Sequence, residues 1–227
     1  MISNKIKLIK EQINQAAQKT GRSSQDIKLL AVSKTKPVED IIAAIKVGQT
    51  SFGENYLQDA IPKIQTLSKY NLEWHFIGAL QSNKTRLIAE NFDWVQSLDK
   101  FSHAKRLDTQ RSPNLPPLNV CIQVNISTEP QKAGVKLHDL ADLALRINAL
   151  PNLHLRGLMV LPRPCLNFEQ QRLPFNILYK IYRQLQNSGL DLDTLSMGMT
   201  NDMEAAIAEG STLVRIGTGI FGKREQK

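Results

Sequence analysis

A lysine follows a strand-like apolar run near the start of this chain. Residues 29–32 are apolar, Ser33 comes next, and Lys34 follows it directly. The core of a strand rarely accepts a lysine, so Lys34 either reaches to the surface or lies at the mouth of a pocket. In a pocket, desolvation lowers the pKa of the ammonium group, and the neutral amine can then attack an aldehyde. Lys34 is therefore a candidate nucleophile.

Lys36 is an alternative to Lys34 in this role. Residues i and i+2 of a strand face the same way, so the spacing alone leaves both lysines open. Pro37 follows Lys36 and predicts a turn there, which would place Lys36 nearer the solvent.

Hydroxyl and glycine residues follow two later strand-like runs. Ser196 lies at the end of the first of these runs, Gly198 and Thr200 follow it, and Gly217 and Thr218 follow the second run. Glycine lets backbone N–H groups approach an anion, and hydroxyl groups donate further hydrogen bonds to it. These loops therefore predict a phosphate site. The alternative is that Thr200 only caps the next helix and that the glycines only turn the chain.

Three charged residues lie close to these loops. Arg215 comes two residues before Gly217, and it either pairs with a carboxylate at the rim or faces a ring nitrogen of the ligand. An arginine stays protonated, so it would leave that nitrogen neutral and the ring a weaker electron sink. Asp202 and Glu204 suit the first turn of a helix but would repel a phosphate. We expect both carboxylates to point away from the ligand.

Eight strand-like runs alternate with stretches of helical spacing. The runs cover residues 27–33, 50–52, 72–77, 94–98, 118–125, 153–160, 194–197 and 213–216, and the helical stretches cover 38–47, 55–67, 83–91, 100–109, 137–150, 175–187 and 201–209. Parallel strands need a crossover between them, and this order favours a closed (β/α)8 TIM-type barrel over an open sheet. Ile6, Ile9 and Ile13 predict an extra N-terminal helix. We expect a single α/β domain over residues 1–227.

In such a barrel the active site lies at the C-terminal ends of the strands. This rule brings Lys34, Asn55 and the two hydroxyl-bearing loops to one face. Residues 161–174 form a proline-bearing connection after the sixth run. We interpret it as a surface loop, with a lid over the pocket as the alternative.

The composition predicts a globular, cytoplasmic protein. Lys and Arg exceed Asp and Glu by 29 to 21, yet they are spread along the chain, which favours small anionic ligands over nucleic acid. Cys121 and Cys165 lie far apart and predict neither a metal site nor a disulfide framework. The chain has no run near the roughly 18 apolar residues that a membrane span needs. We therefore expect no metal and no membrane partner.

Six segments resemble the pyridoxal phosphate homeostasis protein family, whose members look like the barrel domain of alanine racemase. The match keeps the same order over nearly the whole chain. The segments are AVSKTKP at 31–37, FGENY at 52–56, WHFIG at 74–78, QSNK at 81–84, SMGM at 196–199 and VRIGT at 214–218. This chain departs from the family pattern at Ala79, at Thr200-Asn201 and at Gly219, and the last two changes could alter phosphate affinity.

The resemblance implies a binding site for pyridoxal 5′-phosphate (PLP). The implied cofactor-binding residues are Lys34, Asn55, Ser196, Arg215, Gly217 and Thr218. By this resemblance Lys34 carries PLP as a Schiff base, Ser196 and the 217–218 turn bind its phosphate, and Arg215 faces the pyridine nitrogen. Asn55 is implied near the cofactor.

The resemblance also implies a role in PLP homeostasis and supply, without robust catalysis and with no catalytic residues. PLP-dependent apoenzymes are the implied partners, and we expect a monomer. The first alternative is a PLP-dependent amino-acid racemase or decarboxylase of low activity. A racemase needs a second acid/base, usually a tyrosine from a further C-terminal domain, for which we expect no room, and Tyr56 suits packing better. The second alternative is a phosphate-binding barrel in which Lys34 is only an anion ligand.

Overall fold

All eight expected strands form one closed parallel barrel in the computed structural model, which describes residues 1–126 and 133–222. The strands follow one another around the barrel in sequence order, and β8 closes on β1 with Arg215 opposite Leu30. Their bounds are Lys28–Val32 (β1), Ser51–Glu54 (β2), Glu73–Phe76 (β3), Trp94–Leu98 (β4), Leu118–Val124 (β5), Leu153–Val160 (β6), Thr194–Ser196 (β7) and Leu213–Ile216 (β8). The (β/α)8 prediction is confirmed.

The helices surround this barrel and bury apolar stripes against it. In the sixth helix, for example, Leu140, Leu143, Ala144 and Ile147 are buried at helical spacing. The helices are Ile2–Lys19 (α1), Val38–Ile45 (α2), Leu57–Thr66 (α3), Thr85–Asn91 (α4), Phe101–Gln110 (α5), Leu140–Asn148 (α6), Phe168–Asn187 (α7), Met203–Ala208 (α8) and Thr218–Phe221 (α9), with 3-10 turns at Ser24–Asp26 and Leu137–Asp139.

The N-terminal helix takes the place of an eighth outer helix. The helix after β8, α9, has a single turn, and α1 packs against α2, α8 and α9. Ile6, Ile9 and Ile13 of α1 are buried in this contact. At its far end Lys19 pairs with Glu204 of α8 at 2.7 Å. The predicted extra helix therefore completes the outer layer beside the strands that carry the two phosphate-type loops.

Helix α7 begins earlier than the sequence predicted. The helical spacing placed its start at Phe175, whereas the helix begins at Phe168 and contains Pro174. A proline removes one backbone donor, and the rest of the turn can still form. Asn167 caps the new start, since its side chain accepts a hydrogen bond from the Gln170 backbone at 3.1 Å. The expected long loop is therefore wrong over residues 168–174, and a short connection at 161–167 remains.

Candidate functional site

A cavity of about 210 Å³ opens at the C-terminal ends of the strands. This is the face at which TIM barrels place their active sites. Five of the six expected site residues line the cavity, namely Lys34, Asn55, Arg215, Gly217 and Thr218. Its other lining residues are Val32, Ile77, Met159, Leu161, Met199 and Thr200. The fold therefore brings the candidate nucleophile, the guanidinium group and the hydroxyl-bearing turn into one space.

Lys34 faces this cavity, and the backbone beyond it explains why Lys36 does not. Val32 lines the cavity two residues earlier, and the intervening Ser33 is fully buried toward α3. Thr35 has a φ of 64°, the one positive value outside glycine in the described parts of the chain. This conformation breaks the strand alternation, and Lys36 is absent from the cavity lining. The cavity lining therefore contains Lys34 and not Lys36.

A buried ion pair fixes the peptide that precedes Lys34. Glu54 at the end of β2 accepts hydrogen bonds at Oε1 from Ser33 Oγ at 2.7 Å and from Lys63 Nζ at 2.8 Å. Lys63 Nζ also donates to the Ser33 carbonyl at 3.0 Å. Burial raises the pKa of the Glu54 carboxyl group, and the charge of Lys63 opposes that rise. Helix α3 and strand β2 thereby position the residue from which Lys34 projects.

Arg215 presents its guanidinium group to the cavity from β8. The residue is 4% exposed, and burial lowers its pKa to about 10, so the group is charged at neutral pH. Its Nη1 donates to Ser196 Oγ at 2.7 Å and its Nη2 donates to the Val160 carbonyl at 2.8 Å. A guanidinium group has five N–H donors, so others are available to a ligand in the cavity.

Ser196 lies beneath the cavity and does not line it. The residue is fully buried, and its hydroxyl group donates to Gln96 Oε1 at 2.5 Å while accepting from Arg215. Since a hydroxyl group has one proton, that proton is not available to a phosphate. The structure therefore corrects the expected role of this side chain, which supports Arg215 and does not reach the cavity.

Thr200 adds a second hydroxyl group to the cavity and was not among the expected site residues. It lines the cavity beside Thr218, and the two Oγ1 atoms are 3.3 Å apart. The sequence placed the Thr200 hydroxyl group after the seventh strand, but it did not decide whether Thr200 binds the ligand or caps the next helix. Its position at one of the departures from the family pattern, Thr200-Asn201, was the available signal. Two threonines from consecutive loops, together with Gly217, now form one polar corner of the cavity.

The two acidic residues near this corner make hydrogen bonds or ion pairs outside the cavity lining. The carboxylate of Asp202 accepts a hydrogen bond from the Met199 backbone at 2.5 Å. Glu204 pairs with Lys19 of α1 on the outside of the barrel. Neither residue lines the cavity, so the charged groups in its lining are the cations Lys34 and Arg215. A cavity with this charge favours an anionic ligand.

Asn55 offers a polar atom that has no partner in the described parts of the chain. Its Oδ1 is buried and makes no hydrogen bond there. Buried polar atoms without partners are rare in folded proteins, and a bound ligand is one explanation. With Lys34, Arg215 and the two threonines, Asn55 forms a donor and acceptor set that fits an aromatic aldehyde carrying a phosphate. PLP is a ligand of that chemistry.

Sequence comparison relates this chain to curated proteins over almost its full length. Residues 6–225 match the family described as the alanine racemase N-terminal domain. A pyridoxal phosphate homeostasis protein of Haemophilus influenzae is 50% identical over 227 residues, covering 98% of this chain and 96% of the relative. The protein of the same name from Escherichia coli K12 is 49% identical over 227 residues, covering 99% and 97%.

Solved structures extend the comparison to the fold. PipY of Synechococcus elongatus PCC7942, solved with PLP bound, superposes with a TM-score of 0.87 at 34% identity and covers 98% of this chain and 100% of PipY. Alanine racemase of Corynebacterium glutamicum superposes with a TM-score of 0.65 at 15% identity, covering 95% and 60%, which shows a shared fold alone. The chain belongs to the alanine racemase N-terminal domain family, among its pyridoxal phosphate homeostasis proteins.

Proposed function

We propose that this chain binds PLP reversibly and serves the supply of that cofactor, without robust catalysis of its own. One observation carries the proposal: a single cavity joins Lys34, Arg215 and the paired hydroxyl groups of Thr200 and Thr218. PLP has an aldehyde that an amine can attack, a ring nitrogen that accepts a hydrogen bond and a phosphate that binds hydroxyl and backbone donors. The name of the curated relatives and the PLP-bound structure of PipY support it.

Each lining residue then has a separate part in binding. Lys34 forms the Schiff base, and Thr200, Thr218 and the backbone of Gly217 bind the phosphate. Arg215 donates to the ring nitrogen, and Asn55 lies beside the ring. When bound, PLP supplies an electrophilic carbon and an electron-withdrawing ring.

The same residues argue against efficient catalysis. Arginine stays protonated, so it leaves the ring nitrogen neutral and limits the ring as an electron sink. In the described cavity lining, Lys34 and Arg215 are the ionisable residues, and none stands as a second acid or base. Tyr56 is 54% exposed and lies at the start of α3, outside the lining. Proton removal from an amino-acid α-carbon would therefore depend on Lys34 alone.

The proposal includes a place and a partner. The PLP that Lys34 binds is passed to PLP-dependent apoenzymes in the cytoplasm, and the chain acts as a monomer. Free thiols at Cys121 and Cys165 are consistent with a reducing compartment. Over the described residues, the helices are all too short or too polar to cross a bilayer.

Borohydride reduction tests the Schiff base. The protein is saturated with PLP, reduced, dialysed and weighed intact by mass spectrometry. We expect the wild type and Lys36→Ala to gain the mass of one reduced cofactor, and Lys34→Ala to gain none, because only an imine becomes a stable adduct. Binding of PLP without an adduct would instead favour the phosphate-binding barrel, with Lys34 as an anion ligand. An adduct that survives in Lys34→Ala would place the bond on another residue.

The same PLP-saturated protein, without reduction, tests the absence of robust catalysis. Amino acids are incubated with it in deuterium oxide, and α-carbon deuteration is followed by NMR. We expect exchange no faster than with an equal concentration of free PLP. Exchange well above that level would favour the racemase or decarboxylase alternative.

Removing either threonine hydroxyl should weaken PLP binding selectively. Thr200→Val and Thr218→Val keep the side-chain shape and each remove one donor to the phosphate. We expect each to weaken PLP binding about tenfold or more, since a hydrogen bond to a charged group contributes about 1.5–3 kcal/mol. Pyridoxal, which lacks the phosphate, is the control ligand, and its affinity should not change. An equal loss for both ligands would remove these hydroxyl groups from the phosphate site.

A further inference from the structure

A continuous row of hydrogen-bonded polar side chains crosses the barrel interior beneath the cavity. Glu73 Oε1 lies 2.6 Å from His75 Nε2, and His75 Nδ1 lies 2.8 Å from Gln96 Nε2. Gln96 Oε1 lies 2.5 Å from Ser196 Oγ, which lies 2.7 Å from Arg215 Nη1. This row therefore runs from Glu73 at the N-terminal end of β3 to the guanidinium group of Arg215 in the cavity.

The two end members of this row, Arg215 and Glu73, determine the direction of each hydrogen bond. A guanidinium group only donates, so Ser196 Oγ accepts a hydrogen bond from Arg215 and donates one to the Gln96 side-chain carbonyl. The Gln96 amide then donates to His75 Nδ1, which leaves the imidazole proton on Nε2. That proton faces the Glu73 carboxylate, which can only accept when it is ionised. All four hydrogen bonds therefore point from Arg215 toward Glu73.

The protonation states of Glu73 and His75 agree with these hydrogen-bond directions. Burial favours the neutral carboxyl group of Glu73, but the hydrogen bonds from His75 and Lys28 and the charge of Lys28 outweigh it and lower its pKa. Burial lowers the pKa of His75, so its imidazole is neutral at physiological pH. A neutral imidazole with one proton can both accept from Gln96 and donate to Glu73.

The middle of this row is buried in the barrel interior, away from water. His75, Gln96 and Ser196 are each fully buried. Trp94 stacks on the His75 ring at a centroid distance of 5.1 Å and packs with Cys121 and Met159. In such surroundings hydrogen bonds strengthen one another, and an unpaired group is costly. The side chains of this row are therefore fixed relative to one another.

We propose that Gln96 and His75 are positioning residues that, through Ser196, orient the Arg215 guanidinium group toward the ring nitrogen of PLP. Ser196 Oγ holds Nη1 of that group, and the Val160 carbonyl holds Nη2. Gln96 in turn holds the Ser196 hydroxyl group in place. Glu73 is the charged end that polarises the row, anchored by Lys28 at 2.9 Å. This inference rests on the proposed function, because it assigns the ring nitrogen as the partner of Arg215.

An analogue of PLP in which a C–H group replaces the ring nitrogen measures this orientation directly. The wild type should bind PLP more tightly than this carbon analogue, because the analogue cannot accept a hydrogen bond from Arg215. In Gln96→Leu we expect PLP to bind about five- to tenfold more weakly, the effect of one hydrogen bond. The analogue should bind with unchanged affinity. A purely structural role for Gln96 would weaken both ligands equally.

The borohydride adduct separates this inference from the proposed function. An adduct on Lys34 in both the wild type and Gln96→Leu keeps the proposed function, whatever the ligand preference shows. Loss of the adduct in the wild type would overturn the proposed function itself. A preference for PLP over the carbon analogue that is unchanged in Gln96→Leu, or an equal loss for both ligands, overturns the positioning role.

A second variant keeps the test decisive if Gln96→Leu does not fold. Glu73→Gln keeps the shape at the partly exposed end of the row and removes its charge. We expect it to reduce the preference for PLP over the carbon analogue. Glu90→Gln, which removes the carboxylate charge of an exposed ion pair with Arg86 on α4, is the matched control and should leave the preference unchanged. An unchanged preference in Glu73→Gln would contradict the proposal.

Discussion

Replacing Lys63 by methionine should lower the free energy of unfolding by about 3–5 kcal/mol near neutral pH, because it leaves a buried carboxylate without its cation. Lys63 Nζ lies 2.8 Å from Glu54 Oε1, and the Glu54 side chain is 0% exposed. The other oxygen of Glu54, Oε2, has no hydrogen-bond partner in the described parts of the chain. The hydroxyl group of Ser33 would then be the main stabilising contact of this charge. Urea denaturation measures the difference.

The exposed pair between Lys19 and Glu204 is the matched control. Its separation is 2.7 Å, close to that of the buried pair, but its side chains are 68% and 53% exposed. Lys19→Met should therefore cost less than about 1 kcal/mol. If Lys63→Met costs no more than Lys19→Met, then burial does not set the energy of the Glu54–Lys63 pair.

Acidification should reduce the deficit of Lys63→Met. Burial raises the pKa of Glu54 and Lys63 opposes that rise, so removing Lys63 raises the pKa further. As the pH falls through that raised value, the folded variant takes up a proton that the unfolded chain, with a glutamate pKa of about 4.3, does not yet bind. Proton uptake by the folded state stabilises it. Glu54→Gln in the same background should recover most of the loss at neutral pH, since it removes the unpaired charge.

The barrel architecture could be predicted from the sequence because the signals for strands and helices are local. Each of the eight strands appears as a short apolar run, and each crossover appears as helical spacing beside it. Local patterns were less reliable where a cap and a proline compete. At α7 the Asn167 cap starts the helix and Pro174 falls inside it, so the proline was a misleading sign of a loop. The contact of α1 with α8 and α9 depends on the closed barrel and has no local signal.

The site was less predictable because depth in a barrel depends on strand register. Ser196 ends β7 and Thr200 lies in the loop after it, and spacing does not say which hydroxyl group reaches the cavity. The pairing of Ser196 with Leu213 places Arg215 above Ser196, so Arg215 covers that hydroxyl group. Gln96 carried no signal within an apolar strand. It gained a role only when β3 and β4 paired and brought it beside His75.

Replacing Gly78 by alanine should cost about 3 kcal/mol of stability, as overpacking of a rigid contact does, and should weaken PLP binding as well. A Cβ atom at this position would lie 2.1 Å from the Asn55 carbonyl oxygen and 2.8 Å from its carbonyl carbon. Gly78 cannot move away easily, because Ser97 Oγ donates to its carbonyl at 2.5 Å from the side of β4. The strain must therefore displace Asn55, which lines the cavity.

Two further variants show whether the strain lies in this contact. Gly217→Ala is the control for stability, since the nearest atoms to its Cβ, in Val32, lie at an ordinary 3.5 Å; it should change the free energy of unfolding by less than about 0.5 kcal/mol. Ser97→Ala alone should cost about 1 kcal/mol, the value of one hydrogen bond. Combined with Gly78→Ala it should cost less than the sum, because Gly78 can then retreat from Asn55. Additive costs would contradict a strained Asn55–Gly78–Ser97 contact, because coupling between neighbours is what non-additivity measures.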